Sequence, residues 1–333
     1  MHHNQKICSF DKTSFMKKTS IIFFYLLILV VQVKSHGQYT EVINSNRPGF
    51  SQSAFSVGKQ VVQFEIGSYI INENRTPYPS YEVEGFGIDF AARYGFLKES
   101  LEISINGNYQ NDSQTYNLTI PVENSRANFK QLRLGAKYLI YDPNKNKEDV
   151  VNVYSYHANR GFKWNQLIPA VAISGGINYD TKNNPYTAGG VEGLSYNASV
   201  ITQNNFYDGW AFVTNFLLDR ISSGQQDFHY ILTLTHALNE KWMVFAEKHG
   251  IKSNFYADNL IRFGGGSLLN KDLQLDTGIT FNFKNTPSLI KFSFGLSYRI
   301  DKHKDEIKVK NKKFEKSKRK KRFRSRKRSK NKA

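Results

Sequence analysis

Along the segment from Ile290 to Ile300, apolar and polar side chains alternate without a break. Ile290, Phe292, Phe294, Leu296, Tyr298 and Ile300 fall on one face, and Lys291, Ser293, Gly295, Ser297 and Arg299 fall on the other. A period of two is that of a β-strand, so this segment predicts a strand with one apolar and one wet face. The preceding segment repeats the pattern, with Leu273, Leu275, Thr277, Ile279, Phe281 and Phe283 opposed to Gln274, Asp276, Gly278, Thr280 and Asn282. So do Phe86, Ile88, Phe90, Ala92 and Tyr94 against Gly87, Asp89, Ala91, Arg93 and Gly95. Leu101, Ile103 and Ile105 oppose Glu102, Ser104 and Asn106, and Leu132, Leu134, Ala136, Tyr138 and Ile140 oppose Arg133, Gly135 and Lys137. Less regular runs at 60–71, 167–179, 193–203, 209–220, 228–239, 241–249 and 259–268 bring the total to about twelve strands. No long span between Gln60 and Ile300 shows helical spacing of apolar residues.

Most of these runs are about 9 to 13 residues long, the length a tilted strand needs to cross a bilayer and longer than a soluble sandwich requires. The expected fold is an all-β, antiparallel transmembrane barrel of about twelve strands. Such a barrel has short periplasmic turns and longer outer loops. Residues 96–99, 204–208, 239–241 and 269–271 fit the first class, and 72–80, 111–128 and 180–192 fit the second. The exception is 142–166, too long for a turn, which is expected to form a periplasmic helix or an inward plug. Trp210, Trp242, Tyr69, Tyr94, Tyr138, Tyr179 and Tyr298 are expected in the aromatic girdles near strand ends. Alternation alone does not say which face looks outward, so a soluble sandwich or lipocalin-like barrel stays open as the alternative.

Charge and composition refine this picture. The formal charge of +18 is confined to the ends: residues 301–333 carry +14, residues 1–37 carry +4, and the body between is neutral. Residues 16–38 combine two lysines, an apolar run from Ile21 to Val31 and small residues Ser35 and Gly37, the layout of a secretory signal starting at Met16 and cut after Gly37. The apolar run is about half of the ~20 residues a helix needs to span a bilayer. The single cysteine, Cys8, precedes that signal, and no apolar segment precedes Cys8. A mature chain would therefore carry no disulfide and no thiol chemistry, and Cys8 does not read as a lipoprotein cysteine. The expected organisation is a signal peptide at 1–37, a lead-in or plug at 38–58, a barrel at 59–300 and a disordered Lys/Arg-rich tail at 301–333.

The first mature residues, Asn44-Ser45-Asn46-Arg47-Pro48-Gly49-Phe50-Ser51-Gln52-Ser53, lead into Ser56-Val57-Gly58-Lys59-Gln60-Val61-Val62-Gln63-Phe64-Glu65-Ile66-Gly67. This opening resembles that of the MetA-pathway-of-phenol-degradation family: an (Asp/Asn)-Arg-Pro segment, a Ser/Thr-rich stretch, then a strand of the form Gln-x-Glu-x-Gly. Asn46 stands where Asp is common. The resemblance is specific over roughly those 25 residues and generic beyond them. It implies an outer-membrane barrel of transporter type, with small aromatic compounds as solutes for some members. Signal, architecture and basic tail are also similar to barrel proteins of the Bacteroidetes.

If the apolar faces look outward, the opposite faces line a lumen, and their charges control traffic. These are Glu65, Asp89, Arg93, Glu102, Arg133, Lys137, Asp219, Glu247, Arg262, Asp276, Lys291 and Arg299. Their near balance of sign predicts either weak ion selectivity or pairing into a network that partly closes the lumen. Asn46, Arg47 and Pro48 are candidates for an inward plug, Pro48 setting the turn and Arg47 reaching a wall carboxylate such as Glu65 or Asp89. No catalytic residues, cofactor site or metal site are expected. A lipid-modifying enzyme would need a Ser and His in reach with a third residue to orient them. His157, His229, His236, His249 and His303 form no such pattern, His229 and His236 lie on opposite faces of one strand, and no pair sits at metal-ligand spacing. Gly264-Gly265-Gly266 reads as a strand kink or bulge and not as a phosphate loop.

The tail would read as nucleic-acid binding in a cytoplasmic protein. Behind a secretory signal, its expected partners are anionic lipid headgroups or acidic envelope polymers, and no nucleic acid. The functional expectation is an outer-membrane channel for passive passage of small solutes, possessing lipid as its surroundings. The alternative is a non-conducting structural or envelope-tethering barrel. Both chain ends are expected on the periplasmic side.

Overall fold

The structure is a computed structural model and describes residues 42–76, 78–144, 164–282 and 287–303. The expected signal, most of the expected 142–166 element and nearly all of the basic tail lie outside those residues.

Twelve strands form one closed antiparallel barrel in sequence order, with β1 sealing against β12. They are β1 (Val61–Arg75), β2 (Tyr81–Gly95), β3 (Leu101–Tyr116), β4 (Val122–Tyr141), β5 (Ala170–Asp180), β6 (Gly193–Asn205), β7 (Trp210–Ile221), β8 (Asp227–Ala237), β9 (Trp242–Ser253), β10 (Ala257–Asn270), β11 (Leu273–Asn282) and β12 (Ser288–Asp301). The β1–β12 seam runs from Val61 opposite Asp301 to Asn74 opposite Ser288, so the backbone groups of the first strand pair on both sides and no sheet edge remains there.

The direction of the faces is the reverse of a soluble protein. Along β12, Ile290, Phe292, Phe294 and Tyr298 are exposed, while Ser297 and Arg299 are buried. Across the barrel, Phe64, Ile66, Ile70, Phe86, Leu134, Val200, Phe216, Leu218, Val244 and Phe263 point outward, and Glu65, Arg93, Glu102, Arg133, Asp219 and Glu247 point inward. An apolar outer wall around a charged interior is stable only where the surroundings are hydrocarbon. That excludes the soluble sandwich and lipocalin alternatives, whose apolar residues would fill the centre.

Three expectations are corrected. Residues 111–128 do not form a long outer loop: β3 and β4 run through most of that stretch, and only 117–121 connect them. The physical reason is that polar side chains stand on both faces of this hairpin, so alternation fades although pairing continues. The loop asymmetry is consequently small, with 181–192 as the one long connection among the described outer-end turns. Tyr69 is not a girdle residue: it lies on the same face as Glu65, buried, with its hydroxyl 3.0 Å from both Asn108 Oδ1 and Gln110 Oε1. Trp210, Trp242, Tyr94, Tyr179 and Tyr298 are exposed on the outer wall. Finally, Gly264–Gly266 is regular strand, paired with Gly278, Thr277 and Asp276; the nearby irregularity falls at Leu268/Asn270.

Candidate functional site: the barrel interior

Residues 42–58 run inside the barrel. Many of their backbone groups are satisfied by side chains of the inner wall, others by side chains of the segment itself, and Ile43 N–H by the Lys271 carbonyl, the accounting a buried irregular segment requires. The chain leaves the lumen at Gly58, whose φ of 95° lies in the left-handed region. The Gly58 carbonyl there packs on Gly95 so closely that any Cβ at Gly95 would collide with it.

Two clusters hold this segment. In the first, Arg93 on β2 makes a bidentate pair with Glu102 on β3, Nε to Oε1 at 2.9 Å and Nη2 to Oε2 at 3.0 Å. The same guanidinium reaches Glu65 Oε1 at 3.0 Å and the Asn44 carbonyl at 2.7 Å. Glu102 also accepts the Val57 N–H at 3.0 Å and lies 3.3 Å from Lys137 Nζ. Lys137 in turn donates to the Ser53 and Phe55 carbonyls at 2.9 and 3.0 Å. Below it, Ala54 and Phe55 join Leu139, Ala170, Ala172, Ile201 and Val213 in a small apolar core.

The second cluster sits on β7 to β11. Arg47 donates to both Asp276 oxygens, at 3.3 and 3.2 Å. Glu247 accepts the Phe50 N–H at 3.0 Å and the Ser51 N–H at 3.1 Å, takes a 2.9 Å bond from Thr233 and pairs with Arg262. Asn215 exchanges hydrogen bonds with the backbone of Gln52 in both directions. Arg47 therefore meets Asp276 and not the expected Glu65 or Asp89; Glu65 instead accepts the Asn46 N–H at 3.3 Å. Pro48 follows with a cis peptide bond and lines the cavity described below.

The remaining predicted wall residues also face inward. Arg133 pairs with Asp219 at 2.9 Å, Lys291 approaches Asp89 at 3.7 Å and stands over the Tyr69 ring, and Arg299 pairs with Asp272 at 2.8 Å. The balance of sign read from the sequence is thus a balance of partners: Arg133, Arg262 and Lys291 each face one carboxylate, and Glu65, Arg93, Glu102 and Lys137 share one network.

Several residues were not legible in the sequence. Arg220, in the left-handed region at φ 50°, follows Asp219 and joins it on the buried inner side. It bridges Asp180 at 3.1 Å and Asp227 at 3.2 Å. The register of β3 and β4 shifts at Asn108/Tyr109, leaving Lys130 unpaired between Phe129 and Gln131, so that both Lys130 and Gln131 line the cavity. Such irregularities re-aim a side chain, and period-two reading misses them. In loop 181–192, the Tyr186 hydroxyl donates to Asp112 Oδ2 at 3.0 Å, beneath the Arg126 guanidinium. Burial, with the Asp112 carboxylate beside it, holds that phenol above its ordinary range. His229 and His249, on β8 and β9, lie within hydrogen-bond distance at 2.9 Å. Above the segment lies a cavity of about 390 Å³, floored by Asn46 to Phe50 and Gln52 and walled by Tyr69, Asp89, Lys130, Arg133 and Lys291 among others.

A closed barrel with an apolar exterior, a paired-charge interior and its own N-terminal segment folded into the lumen defines a protein of the outer-membrane β-barrel class. The chain belongs to the family described as "Putative MetA-pathway of phenol degradation", whose model matches residues 45–300, including the Asn46-Arg47-Pro48 opening that the resemblance rested on. Among solved structures, an outer-membrane channel from Pseudomonas putida F1 matches with a TM-score of 0.49 at 8% identity, over 78% of this chain and 100% of that one. The transport unit of the autotransporter AIDA-I from Escherichia coli matches with a TM-score of 0.46 at 10% identity, over 83% and 97%. The CymD monoaromatic hydrocarbon channel matches with a TM-score of 0.36 at 12% identity, over 74% and 90%. No curated protein matches the chain.

Proposed function

We propose that this barrel is an outer-membrane channel for passive passage of small solutes, and that residues 42–58 are its plug. The observation that carries the reading is the cavity of about 390 Å³ inside the wall, whose floor is the segment itself. A solute entering from the outer end would meet hydrogen-bonding walls and stop at Asn46 to Phe50. The family's description supports small aromatic or hydrophobic compounds as solutes. The mechanism has no catalytic step: movement down a gradient through a mixed-charge lumen. The short-turn end would face the periplasm, with both chain ends there. The experiment is planar-bilayer conductance of the folded chain with and without residues 42–58. Steps of larger and longer-lived current from the shortened barrel support the reading; silence from both folded proteins removes it.

The second reading, a non-conducting tethering barrel, is favoured by the way matched charges and the segment fill the interior. In it the Lys/Arg-rich tail would hold anionic lipid headgroups or acidic polymers, at up to ~1 kcal/mol per basic residue near the surface, weakened by salt. Removal of 301–333 should then abolish salt-sensitive envelope association while leaving the barrel folded.

A further inference from the structure

His229 on β8 and His249 on β9 face the same cavity and are both more than nine-tenths buried. His229 Nδ1 and His249 Nε2 lie 2.9 Å apart, while the far nitrogens, His229 Nε2 and His249 Nδ1, are buried without a hydrogen-bond partner. One bonded nitrogen must carry the proton and the other must accept it. Whichever tautomer is present, one far nitrogen is then an unoccupied lone pair and the other an N–H. The pair can take one proton on that free lone pair and keep its mutual bond. A second proton can go only onto the bonded lone pair, which removes the acceptor and sets two imidazolium rings against each other.

The plug rests on these rings. Phe50 is stacked on His249 with centroids 4.7 Å apart and rings 18° from parallel, and it overlaps His229 at 6.4 Å. Its own N–H and that of Ser51 bind Glu247, two residues before His249 on the same face. The charged groups that face the pair are Asp219 and Arg220 from β7, Asp227 from β8, Glu247 from β9, Arg262 from β10 and Arg133 from β4. Each of these carboxylates already faces an arginine, Asp219 with Arg133, Glu247 with Arg262, and Asp227 with Arg220, which it shares with Asp180, and none of them donates or accepts a hydrogen bond at the two rings. Among the described residues no group of three potential metal ligands surrounds the rings.

We infer that the His229–His249 pair is a proton-operated latch: neutral or singly protonated it seats Phe50 and the plug, and doubly protonated it parts and releases them. The inference rests on the plug reading above, and its test separates the two. A fluorophore is attached at Gln52→Cys in the full chain carrying Cys8→Ser, because the backbone of Gln52, which holds it to Asn215, is unchanged by the substitution. Between about pH 7.5 and about pH 5, the range in which imidazole titrates, the probe should gain mobility. The released fraction should rise about tenfold across that range.

His249→Gln, which cannot titrate, should flatten that response. An immobile probe at both pH values in the parent, or an equal response in His249→Gln, overturns the latch. Should the variant not fold, histidine-labelled parent protein serves instead, and its ring-nitrogen resonances must titrate together with the probe; independent titration overturns the latch. Conductance recorded alongside keeps the failures apart. Current with a pH-insensitive probe sinks the latch alone, whereas a responding probe in a barrel silent at every pH sinks the channel and leaves the latch.

Discussion

Arg47 and Asp276, separated by 229 residues in sequence, meet inside the barrel at 3.2 Å. The guanidinium lies flat against β1 and β12 where Gly67 and Gly295 stand opposite each other, so that a Cβ at either position would occupy its place. A cation from the lumen segment, a carboxylate from the wall and two missing side chains form one seat.

That seat yields the first prediction. Gly295→Val should displace Arg47 from Asp276 without touching either residue, and Arg47→Ala should do so directly. Losing a buried charge-assisted pair costs on the order of 2–5 kcal/mol for the interaction that holds the plug. Both variants should raise open probability in single-channel recordings. Normal closure in a folded Gly295→Val barrel would show that the plug does not depend on this contact.

The second prediction concerns Glu102, to which Arg93, Lys137 and the Val57 N–H all converge. Glu102→Ala leaves two buried cations short of a partner, a loss of about 3–5 kcal/mol. The midpoint of denaturant unfolding, followed by the gel-mobility difference between folded and unfolded barrel, should fall accordingly. Glu82→Ala, on the exposed rim, should stay within about 0.5 kcal/mol.

A third prediction follows from Tyr186. Its hydroxyl ties loop 181–192 to Asp112 on β3. Tyr186→Phe should cost about 1 kcal/mol locally and raise amide-hydrogen exchange in that loop, with exchange in β7 to β11 unchanged. Equal protection in both proteins would assign the loop's position to other contacts, such as Asn184 to the Phe129 carbonyl at 2.8 Å.

How much of this was legible depends on where alternation holds. Within the hydrocarbon band outward residues are mostly apolar, so Phe292, Phe294, Leu134 and Ile88 mark strand and face together, and the wall charges follow by parity. Above the band that pressure ends: Asn111 to Asn128 reads as loop because both faces of the β3–β4 hairpin are polar, although backbone pairing continues. Tyr69 reads as a girdle residue because an aromatic near a strand end fits one, whereas its parity with Glu65 places it inside. Lys130 and Arg220 escaped because register shifts and irregular backbone reset the count. The His229–His249 pair is hidden from the sequence for a different reason. Its members lie on separate strands, diagonal to one another in the β8–β9 register, and spacing along one strand cannot reveal a cross-strand pair.

The measurement that bears most directly on the central claim is planar-bilayer conductance of the folded barrel lacking residues 42–58, beside the intact chain. A channel closed by its own N-terminal segment predicts brief, small steps from the intact protein and sustained, larger steps from the shortened one. Equal currents would contradict the plug, and no current from a shortened barrel whose gel mobility shows it folded would contradict the channel.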